Sequence, residues 1–216
     1  MAKVKICGIS RKEDIASVNK YIPEYAGFVF APSRRRVLPS QAAAITAGLD
    51  KRIKKVGVFV NGEIDEVVFN AGLCRLDVVQ IHGDEPIYYF ERLKEKLDSI
   101  SGIEGLNGKI EIWKAVRVKD DTSLEGLADF DADAFVLDAY TEGSYGGAGK
   151  TFNWDLAVKA KKYGKIILAG GLKPDNALSA RDYVQPYALD VSTGVETGGY
   201  KDDSKIRDFI CIARSY

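Results

Sequence analysis

Val4-Lys5-Ile6-Cys7-Gly8 alternates apolar and polar side chains through a β-branched run and stops at a glycine, the pattern of a short strand that leads into a loop. Seven similar runs follow: Tyr25–Phe30, Lys55–Val60, Val78–His82, Ile112–Val116, Ala134–Asp138, Ile166–Ala169 and Ala188–Ser192. They begin roughly every 26 residues, which leaves room for one helix and two turns between strands. Helix signals occupy those intervals. Ser10-x-x-Glu13 has capping-box spacing, Ser40 opens an Ala-rich run, helices are expected after Asn61, Pro86, Trp154 and Asp175, and a last one from about Asp203 to Ala213. Eight such units without a linker predict an α/β chain forming a single (β/α)8 TIM barrel over residues 1–216. The alternative is a doubly wound open sheet, which usually has fewer strands and a glycine-rich turn after the first. Here the glycine-richest loops follow strands six and seven. One long connection, Leu97 to Lys109, holds Gly102, Gly105 and Gly108 and reads as a mobile surface insertion without functional role.

Composition narrows the chemistry. Apolar residues make up 46% of the chain and charged ones 29%, which excludes disordered and fibrous classes. Thirty-one basic and 31 acidic side chains cancel, so no global field points to nucleic acid or an anionic membrane as partner. No apolar stretch approaches the roughly 18 residues of a membrane span, and a cytoplasmic protein is expected. Cys7, Cys74 and Cys211 are odd in number and widely spaced, as reduced thiols are, and match neither a disulfide framework nor a CxxC metal site. With His82 as the single histidine, a zinc site of several imidazoles is not available and no metal is expected.

In a (β/α)8 barrel the active site lies at the C-terminal ends of the strands, and the polar strand residues concentrate there. Strand one ends in Cys7-Gly8, strand four in Gln80-Ile81-His82-Gly83, strand six in Leu137-Asp138 and strand eight in Asp190-Val191-Ser192. Alternate residues share a face, so Lys5 points the same way as Cys7, Gln80 as His82, and Asp190 as Ser192. A buried lysine needs an opposite charge. Barrel closure makes strand eight the neighbour of strand one, which predicts a Lys5–Asp190 pair.

These stretches, together with Gly27-Phe28-Val29-Phe30, Tyr145-Gly146-Gly147-Ala148-Gly149-Lys150-Thr151-Phe152, Gly170-Gly171-Leu172 and Ser192-Thr193-Gly194-Val195-Glu196, resemble the phosphoribosylanthranilate isomerase family of tryptophan biosynthesis, in family order along the whole chain. The resemblance implies an Amadori rearrangement of an N-phosphoribosyl aminoaldose to a 1-amino-1-deoxyketose, with no metal or organic cofactor. It also implies Cys7 as general base and Asp138 as general acid. Such a reaction needs an acid for the furanose ring oxygen and a base for the C2 proton. Cys7 then needs a nearby positive charge or hydrogen-bond donors to favour its thiolate, and Asp138 needs burial or negative charge to keep its proton.

Gln80, His82 and Asp190 would line the substrate site, with His82 a hydrogen-bonding group rather than the acid or base. Gly170, Gly171, Ser192, Thr193 and Gly194 stand after strands seven and eight, where barrels often bind phosphate through backbone N–H groups. The loop Pro32-Ser33-Arg34-Arg35-Arg36 aligns Arg36 with the family arginine, suited to a substrate carboxylate. The family's usual serine is here Arg34, with Ser33 one position early. Arg34 and Arg35 are expected to be mostly solvated, and Cys74 and Cys211 to be packing residues. Gly149-Lys150-Thr151 matches the end of a P-loop, but the motif's first glycine is Ser144, so this segment reads as a lid over the substrate.

Each residue also has a plain structural reading. A strand cysteine is commonly packing, a strand-terminal aspartate can cap a loop, and paired glycines usually make turns. Two functional rivals remain: a histidine-pathway Amadori isomerase, which uses paired aspartates where this chain has Cys7, and a non-catalytic phosphosugar binder, which would need neither Cys7 nor Asp138. The sequence leaves monomer and homodimer open.

Overall fold

A computed structural model describes every residue except 103–107, 141–150 and 216. Eight parallel strands close into a barrel in sequence order: β1 (Lys3–Cys7), β2 (Tyr25–Val29), β3 (Lys54–Phe59), β4 (Val78–Ile81), β5 (Glu111–Val118), β6 (Ala134–Ala139), β7 (Ile166–Leu168) and β8 (Ala188–Val191). β8 pairs back onto β1, with Lys5 opposite Asp190. Among the described residues seven α-helices surround them: α1 (Lys12–Tyr21), α2 (Pro39–Thr46), α3 (Ile64–Leu73), α4 (Ile87–Ile100), α5 (Trp154–Ala160), α6 (Pro174–Val184) and α7 (Asp203–Arg214). Between β5 and β6 the place of a helix is taken by two short 3₁₀ turns, Asp121–Leu124 and Leu127–Asp129. After β8 comes a small hairpin, β9 (Glu196–Thr197) with β10 (Tyr200–Lys201).

Period two sorts the strand residues into two cores. Val4, Ile6, Val79, Ile81, Phe135, Leu137, Leu189 and Val191 face the helices. Tyr25, Val56, Val78, Trp113, Ala134, Val136, Ile167 and Ala188 fill the barrel interior, where Tyr25 meets Trp113 edge to face at 4.9 Å between ring centroids. That apolar plug occupies the N-terminal part of the barrel. Two residues further along the same strands the interior turns polar, with Gln80 after Val78, Asp138 after Val136 and Asp190 after Ala188, all buried.

Element ends differ in detail from the sequence reading. The first helix is not capped by Ser10 and Glu13. Asp14 accepts from the backbone N–H of both Ser10 and Arg11, each at 3.1 Å, because this carboxylate is the buried one of the two adjacent acids. α2 begins at Pro39, one residue before Ser40, as suits proline in a first turn. Leu97 through Ile100 belong to α4, so the expected insertion starts only at Ser101. Residues 103–107 of that segment lie outside the described residues.

Candidate active site

Lys5 and Asp190 form the ion pair that strand alternation predicts. Nζ donates to Asp190 Oδ2 at 2.7 Å, and Lys5 is wholly inaccessible to solvent. Asp190 Oδ1 is buried with no hydrogen-bond partner among the described residues. This leaves an acceptor aimed neither at Lys5 nor at water.

Asp138 ends the interior row of β6. Burial, and after it the negative charge of Asp190, push its carboxyl up to about 6, against the Ala139 N–H that Oδ1 accepts at 2.9 Å and against Lys5. Its neighbour His82 is pushed down to about 3 by burial and by the cations Lys5, Lys114 and Arg117. The imidazole is therefore neutral. Gln80 Nε2 lies 3.0 Å from His82 Nδ1, so with the amide donating, the ring proton sits on Nε2. Below the following loop, Lys114 is buried and donates to the Gly83 carbonyl at 2.7 Å, which fixes the segment that carries His82.

Cys7 is half-buried, and Lys5 on the same face flanks it. A β-carbon on Gly27 would lie 2.9 Å from Cys7 Sγ and 3.2 Å from Lys5 Cε, so glycine there lets both groups pack against the β2 backbone. Burial pushes the Cys7 thiol up, and the positive charges of Lys5 and Lys201 oppose that shift. Ser192 Oγ donates to the Cys7 carbonyl at 3.0 Å. In this structure that hydroxyl serves the β1–β8 seam.

The glycines after β7 and β8 meet a specific steric need. Gly170 and Gly171 have φ of +80° and +61°, and a β-carbon on Gly194 would come within 1.9 Å of the Leu172 carbonyl oxygen. The two loops thus touch backbone to backbone, with Thr193–Val195 forming a 3₁₀ turn and α6 starting at Pro174. Thr193 makes no side-chain hydrogen bond among the described residues.

The arginine loop departs most from expectation. Arg35 is not solvated. Its Nε donates to Glu196 Oε1 at 2.7 Å, its side chain is 12% exposed, and its Cδ lies 2.3 Å from where a Gly8 β-carbon would stand. Arg34, half exposed, reaches the same carboxylate at 2.6 Å. Ser33 Oγ accepts the Arg35 N–H at 3.2 Å, turning the loop so that Arg36 stays exposed, its backbone bridged to Val29 and without an ion pair among the described residues. The sequence reading missed Lys201, whose buried ammonium donates to Glu196 at 2.8 Å and to the Ser192 carbonyl at 3.0 Å. Glu196 lay within a quoted motif, but nothing in the motif told which cations it would meet.

Two thiols complete the inventory. Cys74 is buried, with Sγ 3.7 Å from the Pro39 carbonyl and burial pushing it up to about 11, whereas Cys211 is exposed rather than packed. Residues 141–150, most of the expected lid, lie outside the described residues. Among the described residues there is no group of three or more potential metal ligands, and no helix is long and apolar enough to cross a membrane.

Residues 4–211 match the family of N-(5'phosphoribosyl)anthranilate (PRA) isomerase. An N-(5'-phosphoribosyl)anthranilate isomerase from Acetivibrio thermocellus is 54% identical over 215 residues, spanning 99% of this chain and 96% of that protein. Among solved structures, monomers made from the dimeric phosphoribosylanthranilate isomerase of Thermotoga maritima superpose with a TM-score of 0.83 at 35% identity, over 99% of both chains. A phosphoribosyl anthranilate isomerase in complex with reduced 1-(o-carboxyphenylamino)-1-deoxyribulose 5-phosphate gives 0.82 at 34%, again over 99% of both.

Proposed function

Because the chain belongs to the N-(5'-phosphoribosyl)anthranilate isomerase family, we propose that its reaction runs on Cys7 as general base and Asp138 as general acid. The enzyme is an isomerase of tryptophan biosynthesis and converts N-(5-phosphoribosyl)anthranilate to 1-(2-carboxyphenylamino)-1-deoxyribulose 5-phosphate. In the proposed sequence Asp138 protonates the furanose ring oxygen as the C1–O bond breaks and the amine nitrogen supplies the electron pair of the iminium. Cys7 then takes the C2 proton, the C2–H electrons form the C1–C2 double bond, and the iminium electrons return to nitrogen. Tautomerisation of the resulting enol gives the ketose. Atoms balance with proton transfers alone, so the scheme calls on no cofactor.

One observation carries this reading: a single barrel mouth holds a carboxyl biased to keep its proton and a thiol flanked by buried ammonium groups. In the same reading Arg36, exposed and unpaired among the described residues, takes the anthranilate carboxylate. The loops of Gly170, Gly171, Ser192, Thr193 and Gly194 take the phosphate, and Gln80, His82 and Asp190 line the sugar. Dimeric and monomeric forms exist among relatives, and we assign this chain one barrel per protomer, acting in the cytoplasm as monomer or homodimer. The substrate fluoresces through its anthranilate, so turnover is followed directly. Cys7→Ala and Asp138→Asn should each lose several orders of magnitude in kcat, and undiminished turnover by either would overturn its assigned role.

A further inference from the structure

Lys201 stands in a hairpin that no sequence motif marked, with 2% of its side chain exposed. A buried ammonium is costly unless specific acceptors hold it. Here Glu196 and the Ser192 carbonyl do so. The second bond sets the ammonium against the residue whose own hydroxyl grips the Cys7 carbonyl, and Lys201 and the Cys7 sulfur act on each other electrostatically.

Among the described residues, charge around that sulfur is not balanced. Lys5 is matched one to one by Asp190. Glu196 instead serves Lys201, Arg35 and Arg34 together. Even with the half-exposed Arg34 set aside as screened, one carboxylate faces two enclosed cations. Among the described residues, the charged groups that act on Cys7 are therefore Lys5, Asp190 and Lys201, and behind Lys201 stand Glu196 and its second enclosed partner Arg35, which leaves a positive surplus on the Lys201 side. Across the mouth His82 is neutral, and Asp138 keeps its proton up to about 6.

We propose that Lys201 is a positioning residue for the reaction: clamped by Glu196 and the Ser192 carbonyl, its buried ammonium stands beside the seam that holds Cys7 and favours the thiolate there. Lys201 touches no reacting atom in this scheme. It acts through Cys7, and Glu196 tempers it.

The inference rests on Cys7 being the base, but its test reads the sulfur directly, so the two can fail separately. The intact enzyme is alkylated with iodoacetamide across a pH series, and the peptide carrying Cys7 is followed by mass so that Cys74 and Cys211 do not contribute. Lys201→Met should raise the apparent Cys7 pKa by about one unit, roughly a tenfold slower alkylation near neutral pH, and lower kcat with little change in KM. Lys201→Arg should restore most of both. Glu196→Gln should move the pKa the opposite way, because it removes the negative charge from the cluster. A purely structural clamp would move the sulfur in the same direction in both variants, or in neither, and either result overturns the proposal. If Lys201→Met does not fold, Glu196→Gln decides: a lower Cys7 pKa supports the assignment, and an unchanged or higher one refutes it. Undiminished turnover by Cys7→Ala would remove the catalytic role while leaving the alkylation result to stand on its own.

Discussion

His82 Nε2 lies 3.7 Å from Asp138 Oδ2, yet the two are not an ion pair. The imidazole is held neutral, pushed down to about 3, so the proton affinity of Asp138 comes from burial and from Asp190. The proposed mechanism needs protonated Asp138 together with thiolate Cys7, the less populated form of each through most of the pH range. The profile of kcat/KM should climb through about pH 6 and fall only above the ordinary thiol range. His82→Gln should leave the lower limb within about half a unit of its place. A profile that falls steadily from pH 5 to 8 would sink this account.

Asp138→Asn separates catalysis from stability. The folded carboxyl titrates at about 6, above its unfolded value near 3.9, so folding must bury a charge above pH 6. The penalty, about 3 kcal/mol at most, fades as pH falls from 6 toward 4. The Asp138→Asn variant should therefore melt higher than wild type at pH 8, and the difference should shrink at pH 4.5. Equal shifts at both pH values would count against it.

Lys5 and Asp190 should behave as one unit. Breaking a buried pair by removing one partner costs about 3–5 kcal/mol because the other charge stays buried. Unfolding free energies of Lys5→Met and of Asp190→Asn from urea titration should each fall by that amount, and the double variant should lose well under the sum of the two. Additive losses would show that the charges do not depend on each other.

Arg35 and Arg36 are neighbours with different work. Removing the exposed Arg36 as Arg36→Met should raise KM about 10- to 100-fold, the worth of a charge-assisted carboxylate contact, and leave the melting temperature nearly unchanged. Arg35→Met should lower the melting temperature instead, because it takes a bidentate partner from buried Glu196. Melting curves alongside steady-state kinetics for both variants test the division, and a reversal of the two effects would refute it.

Much of this was legible in the sequence because it follows from period two. Once Val4-Lys5-Ile6-Cys7 is a strand in a closed barrel, Lys5 faces inward beside β8, and Asp190 is the charge that can meet it. The Glu196 clamp was not legible. Arg35 and Glu196 stand 161 positions apart on loops whose meeting depends on loop geometry rather than strand register. Lys201 follows a Gly198-Gly199 turn, with both glycines at positive φ, that carries no apolar periodicity to read. The choice of Asp14 over Glu13 as the cap of α1 likewise turned on which carboxylate the fold encloses, a tertiary fact.

The seam between β1 and β8 has a consequence for biogenesis. Cys7 is synthesised long before β8, yet Lys5 finds Asp190 and the Cys7 carbonyl finds Ser192 only across 185 positions. Closing so long a loop costs little more entropy than closing one half as long, but it cannot begin until β8 has left the ribosome. A nascent chain that stops short of β8 carries its thiol on an open sheet edge, with an unmatched lysine beside it. Catalytic competence therefore arrives in one late step, when the barrel shuts.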